Sequence, residues 1–358
     1  MAVTRAITRL RGAFFFVAAC LFSSNLFITL NLKSGNAERT LLPPLRTEKQ
    51  SPHSHTSTGN VVARRDAALL VSTTETSPEI SAGNKTLVII IGNIRGGEKA
   101  WKTLYDHVLD VNSADLALMI GETRPQYQNS SLFGRAAYHW TTPEFDDWGE
   151  ALDLINGTAW RETVVPLMHP HSTILGGVKN FKKFEGSGAV IFMIRWFLSQ
   201  KIQELRLTEK YDRFIITRSD HYYLCRHDIS GLNDEYLWTP KGINWHGITD
   251  RHLVVSSIYV LKALNVLPLL LQRPEDYIDM LKNPEGNPEK VLRKSWKLEL
   301  IKDRHRSFER MMFTCGESGD TTRWKKLGEL VEEGVRLKYA SEYRESHATC
   351  SYRNSLVH

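Results

Sequence analysis

LVIIIGNIRGGEKAWKTLYDHVLDVNSADLALMIG, residues 87–121, has the pattern of a strand, a helix and a second strand. Its first part, residues 87–92, is an unbroken aliphatic run rich in β-branched side chains, which is typical of a strand covered on both faces. Residues 98–109 repeat apolar side chains at helical spacing, and residues 114–121 form another aliphatic run. Strands that alternate with helices usually pair in parallel, so this stretch predicts an α/β fold.

Three later segments complete this outline. Residues 189–205 have the apolar composition of a buried helix and lead into YDRFIITRSDHYYL, residues 211–224, where a second apolar strand ends in charge. Residues 253–256 form another short aliphatic run. We therefore expect a single α/β domain in residues 84–358, with a mostly parallel central sheet flanked by helices. Near its end, residues 321–337 are predicted to form an amphipathic surface helix.

The first 83 residues differ in character from the rest. Residues 12–32 run without a charged side chain, and about 20 apolar residues are enough to cross a bilayer as a helix. Arginines in residues 1–11 predict a cytoplasmic tail ahead of a transmembrane signal anchor, with the remainder translocated. A cleavable signal peptide is the alternative. Residues 33–83 are rich in Ser, Thr, Pro and charge, which predicts a flexible stem.

Three N-glycosylation sequons follow the predicted anchor, which agrees with a lumenal position in the Golgi or another secretory-pathway membrane. They begin at Asn84, Asn129 and Asn156. The cysteines after the anchor are Cys225, Cys315 and Cys350, which allow one disulfide in any of three pairings. The net charge of +6 is spread along the chain without a dense basic run, so nucleic-acid binding is not predicted.

The turn after the first predicted strand, GNIRGG, combines glycines with an arginine. In open α/β sheets, ligands bind beyond the carboxyl ends of the strands. Gly92 and Gly96 allow the backbone to approach a ligand closely, and Arg95 can hold a phosphate through two hydrogen bonds. The turn lacks the spacing of a Walker A loop or of the dinucleotide-binding fingerprint. A simple reversal of the chain is the alternative interpretation.

The strand in residues 211–217 ends in Arg-Ser-Asp-His, an unusual concentration of charge. Asp220 is a candidate ligand for a divalent cation, Mn²⁺ or Mg²⁺, that would neutralise a diphosphate leaving group. His221 is a candidate second ligand, and Arg218 a candidate for holding phosphate oxygens. The alternative interpretation is structural, because Asp and Arg at a strand end often pair with each other.

The order of these motifs resembles a glycosyltransferase group of the GT-A type, which includes eukaryotic, viral and bacterial polysaccharide-synthesis proteins. The similar features are Gly-x-x-Arg after the first strand, Tyr-Asp opening a strand that ends in Arg-x-Asp, and a later Gly-x-x-Asp-Arg element. A helix start, NPEKVL at residues 287–292, is similar to an Asn-x-Glu segment of that group. The resemblance covers most of residues 86–315 and implies a GT-A-like fold.

The resemblance also implies roles for individual residues. It places Asp220 at the metal and diphosphate, and Asp250 with Arg251 beside the donor sugar or the acceptor. A transferase that inverts the sugar needs a carboxylate to take the proton of the acceptor hydroxyl, for which Asp250 is the first candidate and Glu289 the second. Where the group has two carboxylates in an Asp-x-Asp motif, this sequence has one, so metal dependence is left open.

Together these features predict a type II membrane glycosyltransferase of the Golgi. It would transfer a sugar from a nucleotide-sugar donor to a glycan or glycoprotein acceptor, with the membrane contacted through residues 12–32. Two alternatives stay open. One is a Golgi sulfotransferase, since GNIRGG also suits a strand–loop–helix phosphosulfate site, although its usual spacing is absent. The other is a non-catalytic carbohydrate-binding protein with the same fold.

Overall fold

The computed structural model describes residues 85–121, 127–179, 184–317 and 328–355. The predicted tail, anchor and stem, and the sequon at Asn84, lie outside these residues. The strands are β1 (Thr86–Ile91), β2 (Asp115–Ile120), β3 (Tyr138–Thr141), β4 (Arg213–Thr217), β5 (His221–Tyr223), β6 (Leu237–Pro240), β7 (Leu253–Ser256), β8 (His305–Phe308), β9 (Met312–Glu317), β10 (Leu330–Glu332) and β11 (Val335–Leu337).

Helices surround these strands. A π-helical turn, Tyr105–Leu109, continues the first α-helix, and short 3₁₀ turns lie at Val165–Leu167, Pro274–Tyr277 and Lys302–Arg304. The α-helices are α1 (Gly97–Leu104), α2 (Ser131–Arg135), α3 (Trp148–Asn156), α4 (Trp160–Thr163), α5 (Gly188–Glu204), α6 (Leu207–Lys210), α7 (Ser257–Leu264), α8 (Leu267–Gln272), α9 (Ile278–Leu281), α10 (Pro288–Leu298) and α11 (Ala340–Ser355).

The central sheet has the strand order β3-β2-β1-β4-β7-β6-β8. Strand β1 pairs in parallel with β2 on one side and with β4 on the other, and β2 pairs in parallel with β3. Strand β7 is antiparallel to both β4 and β6, whereas β6 and β8 are parallel. The predicted α/β fold with a mostly parallel sheet flanked by helices is therefore confirmed.

Strand β1 shows why its sequence is aliphatic throughout. Its side chains alternate between two hydrophobic clusters, with Leu87 and Ile89 in one and Val88 and Ile90 in the other. All four side chains are fully buried because helices or the second sheet cover both faces. Full burial of such a side chain contributes about 1.5–3 kcal/mol, which makes β1 the centre of the core.

A second sheet, which the sequence did not predict, has the antiparallel order β10-β11-β9-β5. The predicted surface helix at residues 321–337 is wrong for its described part, because residues 330–337 form the β10–β11 hairpin. Buried Val335 and Leu337 alternate with partly exposed neighbours, and Gly334 takes the left-handed backbone conformation of the turn with a φ of 82°. The hairpin delivers the next residue, Lys338, toward the central sheet.

Helix α11 is covalently tied to this sheet region. A disulfide joins Cys225, just after β5, to Cys350 on α11, and Cys315 is a buried free thiol. This pairing is one of the three that the sequence allowed. The side chains of the sequon residues Asn129 and Asn156 are exposed, as N-glycosylation requires. Within the described residues, none of the helices combines the length and hydrophobicity that a membrane crossing demands.

Candidate functional site

A cavity of about 440 Å³ lies where β1 and β4 end side by side. Parallel pairing brings both carboxyl ends to one edge of the sheet, so the turns that follow these strands meet there. The amino-terminal half of α5 forms an apolar wall. The lining residues are Ile91, Gly92, Asn93, Arg95, Gly186, Ser187, Val190, Ile191, Ile194, Arg218, Asp250 and Lys338.

Hydrogen bonds hold the two turns together. The backbone N–H of Arg95 donates to the hydroxyl of Ser219 at 2.8 Å, and this hydroxyl lies 3.2 Å from the carbonyl oxygen of Asn93. The indole N–H of Trp101 donates to the carbonyl oxygen of Arg95 at 2.8 Å. A Cβ at Gly96 would lie 2.6 Å from the carbonyl oxygen of Ser219, so only glycine permits this approach. Gly96 therefore shapes the site without lining it.

Arg218 and Asp220 form a bidentate ion pair, with hydrogen bonds of 2.8 and 2.6 Å. The side chain of Asp220 is 1% exposed, whereas that of Arg218 is 26% exposed and lines the cavity. Burial raises the pKa of Asp220, but the charge of Arg218 outweighs burial and lowers this pKa to about 2. Asp220 is therefore ionised and orients the guanidinium group of Arg218 toward the cavity.

The two predicted metal ligands both have partners within the protein. Both carboxylate oxygens of Asp220 accept hydrogen bonds from Arg218, and Mn²⁺ or Mg²⁺ is bound through carboxylate oxygens. His221 is buried beside Thr217, with 3.1 Å between its Nδ1 and the threonine hydroxyl, and burial lowers its pKa to about 3. Across the part of the chain that the structure describes, no group of three or more His, Cys, Asp or Glu side chains could hold a metal ion.

Lys338 joins Arg95 and Arg218 at the cavity, and the sequence analysis missed it. Burial lowers the pKa of Lys338 to about 7, assisted by the positive charges of Arg218, Arg251 and Arg95. Burial and nearby cations disfavour the protonated form of this lysine. A bound anion favours protonation, so the lysine is well suited to an anionic ligand. In the sequence, Lys338 is simply a lysine at the end of a segment of alternating buried and exposed residues. Its position at the cavity depends on the second sheet.

The two predicted catalytic carboxylates lie near each other. Asp250 lines the cavity, and its carbonyl oxygen accepts a hydrogen bond of 2.5 Å from the buried Arg195 of α5. Glu289 lies in the first turn of α10. Burial raises the pKa of Glu289 to about 7, and the negative charge of Asp250 acts in the same direction. Near neutral pH, Glu289 is therefore present in both its protonated and its ionised form.

The loop that precedes Asp250 packs on the start of α10. A Cβ at Gly247 would lie 2.1 Å from the backbone of Glu289, and the N–H of Ile248 donates to the carbonyl oxygen of Glu289 at 3.1 Å. This contact explains how residues 39 positions apart, Asp250 and Glu289, come to share one region of the site. Glycine at 247 is required because the two backbones touch.

A second cleft, of about 560 Å³, adjoins the cavity and shares Gly186, Ser187 and Ile191 with it. Glu289 lies in this cleft, together with Trp245, whose side chain is 52% exposed. Trp245 and the next residue, His246, both have left-handed backbone conformations, with φ values of 49° and 65°. Such strain in consecutive non-glycine residues concentrates at functional sites, and an exposed indole suits stacking on a sugar ring. No sequence motif singles out Trp245.

Arg251, predicted to bind the donor, does not line the cavity. Its guanidinium group is buried against Glu342 of α11 at 2.5 Å, and Arg310 lies 3.4 Å from the same carboxylate oxygen. Burial raises the pKa of Glu342, but the two arginines lower it overall. Arg310 also contacts Glu345 at 3.2 Å, so two carboxylates balance the two arginines, and Arg251 is paired within the protein and not at the cavity.

Of the predicted site residues, the structure therefore brings Gly92, Arg95, Arg218 and Asp250 to one cavity, with Glu289 in the adjoining cleft. No family model matches the chain, and no curated protein matches it. Function is consequently inferred from the geometry and electrostatics of this site.

Proposed function

We propose that this chain is a type II membrane glycosyltransferase that transfers a sugar from a nucleotide-sugar donor to a glycan or glycoprotein acceptor. One observation carries the proposal. A cavity bordered by Arg95, Arg218 and Lys338 opens beside a cleft that contains a carboxylate, Glu289, with a pKa near neutrality. A cationic cavity for a leaving diphosphate next to a general base is what sugar transfer with inversion requires.

The donor is proposed to occupy the cavity at the ends of β1 and β4. When the bond between the anomeric carbon and the diphosphate breaks, negative charge develops on the departing oxygen. Fixed positive groups that face this oxygen lower the barrier. Arg218 is oriented for this task by Asp220, and Lys338 gains its full charge when an anion binds. We therefore propose that these side chains take the part that a divalent cation plays in Asp-x-Asp enzymes.

The acceptor is proposed to occupy the cleft beside Glu289. Its hydroxyl oxygen would form the new bond to the anomeric carbon as the bond to the diphosphate breaks, and its proton would pass to the Glu289 carboxylate. A base with a pKa of about 7 is ionised often enough to accept that proton near neutral pH. Asp250, which borders the donor cavity, would keep Glu289 basic through its charge.

The architecture supports the same proposal. The mostly parallel sheet has the cavity at its carboxyl edge, where ligands bind in open α/β sheets, and this arrangement is compatible with a GT-A-like domain. The charge-free residues 12–32 and the polar residues 33–83 suit an anchor and a stem, and exposed sequons at Asn129 and Asn156 suit a lumenal domain in the Golgi. These features support the proposed single-pass topology with the site in the lumen.

Turnover assays test this proposal against the sulfotransferase and binding-protein alternatives. The full-length chain in detergent would be assayed for nucleotide release from a panel of UDP-, GDP- and CMP-sugars and from phosphoadenosine phosphosulfate, with and without EDTA. We expect turnover of a nucleotide sugar that persists in EDTA. Use of the phosphosulfate, or binding of glycans without any turnover, would contradict the proposal.

Two variants identify the base. Glu289→Gln is expected to lower the transfer rate by about 10²- to 10⁴-fold, because it removes the proton acceptor. Glu285→Gln is the matched control, because Glu285 lines the same cleft, is well exposed and lies 3.8 Å from Lys290 in an ion pair. Its rate should change by less than about threefold. Equal effects of the two substitutions would exclude Glu289 as the base.

A further inference from the structure

A basic groove borders the acceptor cleft. The groove has a volume of about 380 Å³ and shares His246 and Lys290 with the cleft that contains Glu289. Apart from His246, its lining consists of one methionine and five cationic side chains. The lining residues are His246, Met280, Lys290, Arg293, Lys294, Lys297 and Lys302.

The cations follow the period of α10. Lys290, Arg293 and Lys297 recur at intervals of three and four residues on one face, with Lys294 beside them. The opposite face buries Val291 and Trp296 in the core. Like charges at these intervals repel each other and weaken a helix. The cations therefore do not help to stabilise α10, which the buried face holds in the core. In the sequence these positive charges are interspersed with uncharged residues. The helix brings them together on one face of α10.

Among the described residues, two of the five cations that line the groove have a carboxylate partner. Lys290 pairs with Glu285 at 3.8 Å, and Lys302 pairs with Asp303 at 3.5 Å. Between them, Arg293, Lys294 and Lys297 have no carboxylate within 4.0 Å among the described residues. Arg293 and Lys297 are exposed. The middle of the groove therefore presents uncompensated positive charge to a partner in solution.

We propose that the acceptor is an anionic glycan, with carboxylate or sulfate groups, whose chain lies in this basic groove while its terminal sugar enters the cleft. This inference rests on the proposed glycosyltransferase function and names the acceptor class of the same site. From Lys290 to Lys297 the helix rises about 10 Å, which is longer than one sugar ring. The groove opens beside Trp245 and Glu289, so one continuous ligand can reach from the cations to the proposed base.

The shape of the surface favours a glycan over other anionic partners. A membrane surface would meet an exposed face with aromatic or aliphatic side chains that insert between lipids, whereas this surface is concave and Met280 is its one apolar lining residue. Single-stranded nucleic acids use aromatic side chains for base stacking, and the groove lining holds no Phe, Tyr or Trp among the described residues. Anionic vesicles and single-stranded RNA are therefore the competing probes.

Binding measurements with the full-length chain test this inference. The probes are a fluorescent heparin-derived octasaccharide, a hyaluronan octasaccharide and a neutral dextran oligosaccharide of similar size. We expect the anionic probes to bind at least about tenfold more tightly than the neutral one. Raising the salt concentration from about 50 to about 300 mM should weaken this binding, because the interaction is electrostatic.

A charge-removing triple variant, Arg293→Gln/Lys294→Gln/Lys297→Gln, should weaken binding of the anionic probes by about tenfold or more. The matched control, Lys102→Gln/Lys210→Gln/Arg226→Gln, removes the same charge from exposed positions elsewhere and should change binding by less than about twofold. Three results would overturn the inference. The neutral probe could bind as tightly as the anionic ones, or the two triple variants could lose equal affinity. Vesicles or RNA could also bind the groove more tightly than the glycans do.

Donor turnover separates this inference from the proposed function. Hydrolysis of the nucleotide sugar without acceptor does not involve the groove, so the groove triple variant should retain it. Absence of donor turnover in the unmodified chain would contradict the glycosyltransferase proposal whatever the glycan probes show. Normal donor turnover with no preference for anionic glycans would contradict the groove inference alone.

Discussion

Two arginine–carboxylate pairs in this protein have similar contacts but different surroundings. Arg218 lies 2.6 Å from Asp220, and Arg251 lies 2.5 Å from Glu342. In both pairs the carboxylate is almost fully buried. The arginines differ, because the side chain of Arg218 is 26% exposed at a cavity and that of Arg251 is 9% exposed within the protein.

The neighbours of each pair explain what the difference means. Around Glu342, a second arginine, Arg310, also contacts Glu345 at 3.2 Å, so two carboxylates balance the two guanidinium groups. Beside Arg218, Lys338 has its pKa lowered by burial and by positive charges, so this region remains receptive to an anion. Removing one partner of a closed pair destabilises the fold because it leaves a buried charge uncompensated, whereas an open pair beside further cations can bind a ligand.

The largest expected effect is on stability at the closed pair. Glu342→Gln leaves Arg251 and Arg310 without their shared carboxylate in a buried region, so the free energy of unfolding should fall by about 3–5 kcal/mol. Urea denaturation measures this change. Glu345→Gln is the matched control, because Glu345 contacts Arg310 from a partly exposed position, and its cost should stay below about 1 kcal/mol. Equal costs would show that Glu342 is no more important to the closed pair than its partly exposed neighbour.

The next expected effect is on donor binding at the open region. Lys338→Met removes an ammonium group from the cavity, so the affinity for a nucleotide sugar should fall by about tenfold, measured by calorimetry. The free energy of unfolding should not fall, because burial already disfavours the charged lysine. Arg336→Met, two residues earlier on β11 and outside the cavity lining, should leave donor affinity unchanged. Loss of stability without loss of affinity would make Lys338 a structural residue.

The smallest expected effect is a pH dependence of donor affinity. Lys338 is protonated below its pKa of about 7 and neutral above it, so a diphosphate binds more tightly at pH 6 than at pH 8. The affinity for a nucleotide sugar, whose diphosphate does not titrate in this range, should fall about threefold to tenfold over this interval. Lys338→Met should flatten the profile. A profile that keeps its slope in the variant would assign the dependence to another group.

Activity should depend on pH in the opposite direction. Glu289 must be ionised to accept a proton, and its pKa of about 7 implies that turnover at saturating donor rises between pH 6 and pH 8. Opposed trends in affinity and turnover would distinguish the cations of the open region from the proposed base. If turnover at saturation also falls as the pH rises, Glu289 does not act as the base.

The sequence predicts the parts of this comparison that depend on local patterns. Aliphatic runs identify β1 and β4, because both strands are buried on two faces, and their parallel pairing places Arg95 and Arg218 at one edge. The paired carboxylates Asp250 and Glu289 were found through motifs that resemble GT-A enzymes. Each of these predictions uses residues close in sequence to a recognisable strand or helix.

The remaining parts depend on contacts between distant segments. Arg251 has the same local appearance as a ligand-binding arginine, and its partner Glu342 lies 91 residues later on α11. Lys338 reaches the cavity only because β9, β10 and β11 form a second sheet in place of the predicted helix. No local pattern distinguishes a compensated arginine from an available one, so these roles required the three-dimensional arrangement.

If the cavity at the ends of β1 and β4 binds a nucleoside diphosphate, the ligand covers Lys338, and site-resolved labelling of lysines measures this protection. Because its pKa is about 7, Lys338 should react with an amine-selective acylating reagent at neutral pH faster than exposed lysines such as Lys102 do. We predict that UDP or GDP protects Lys338, as measured by mass spectrometry, and leaves Lys102 unprotected. Saturating nucleotide that leaves the labelling of Lys338 unchanged would contradict the account.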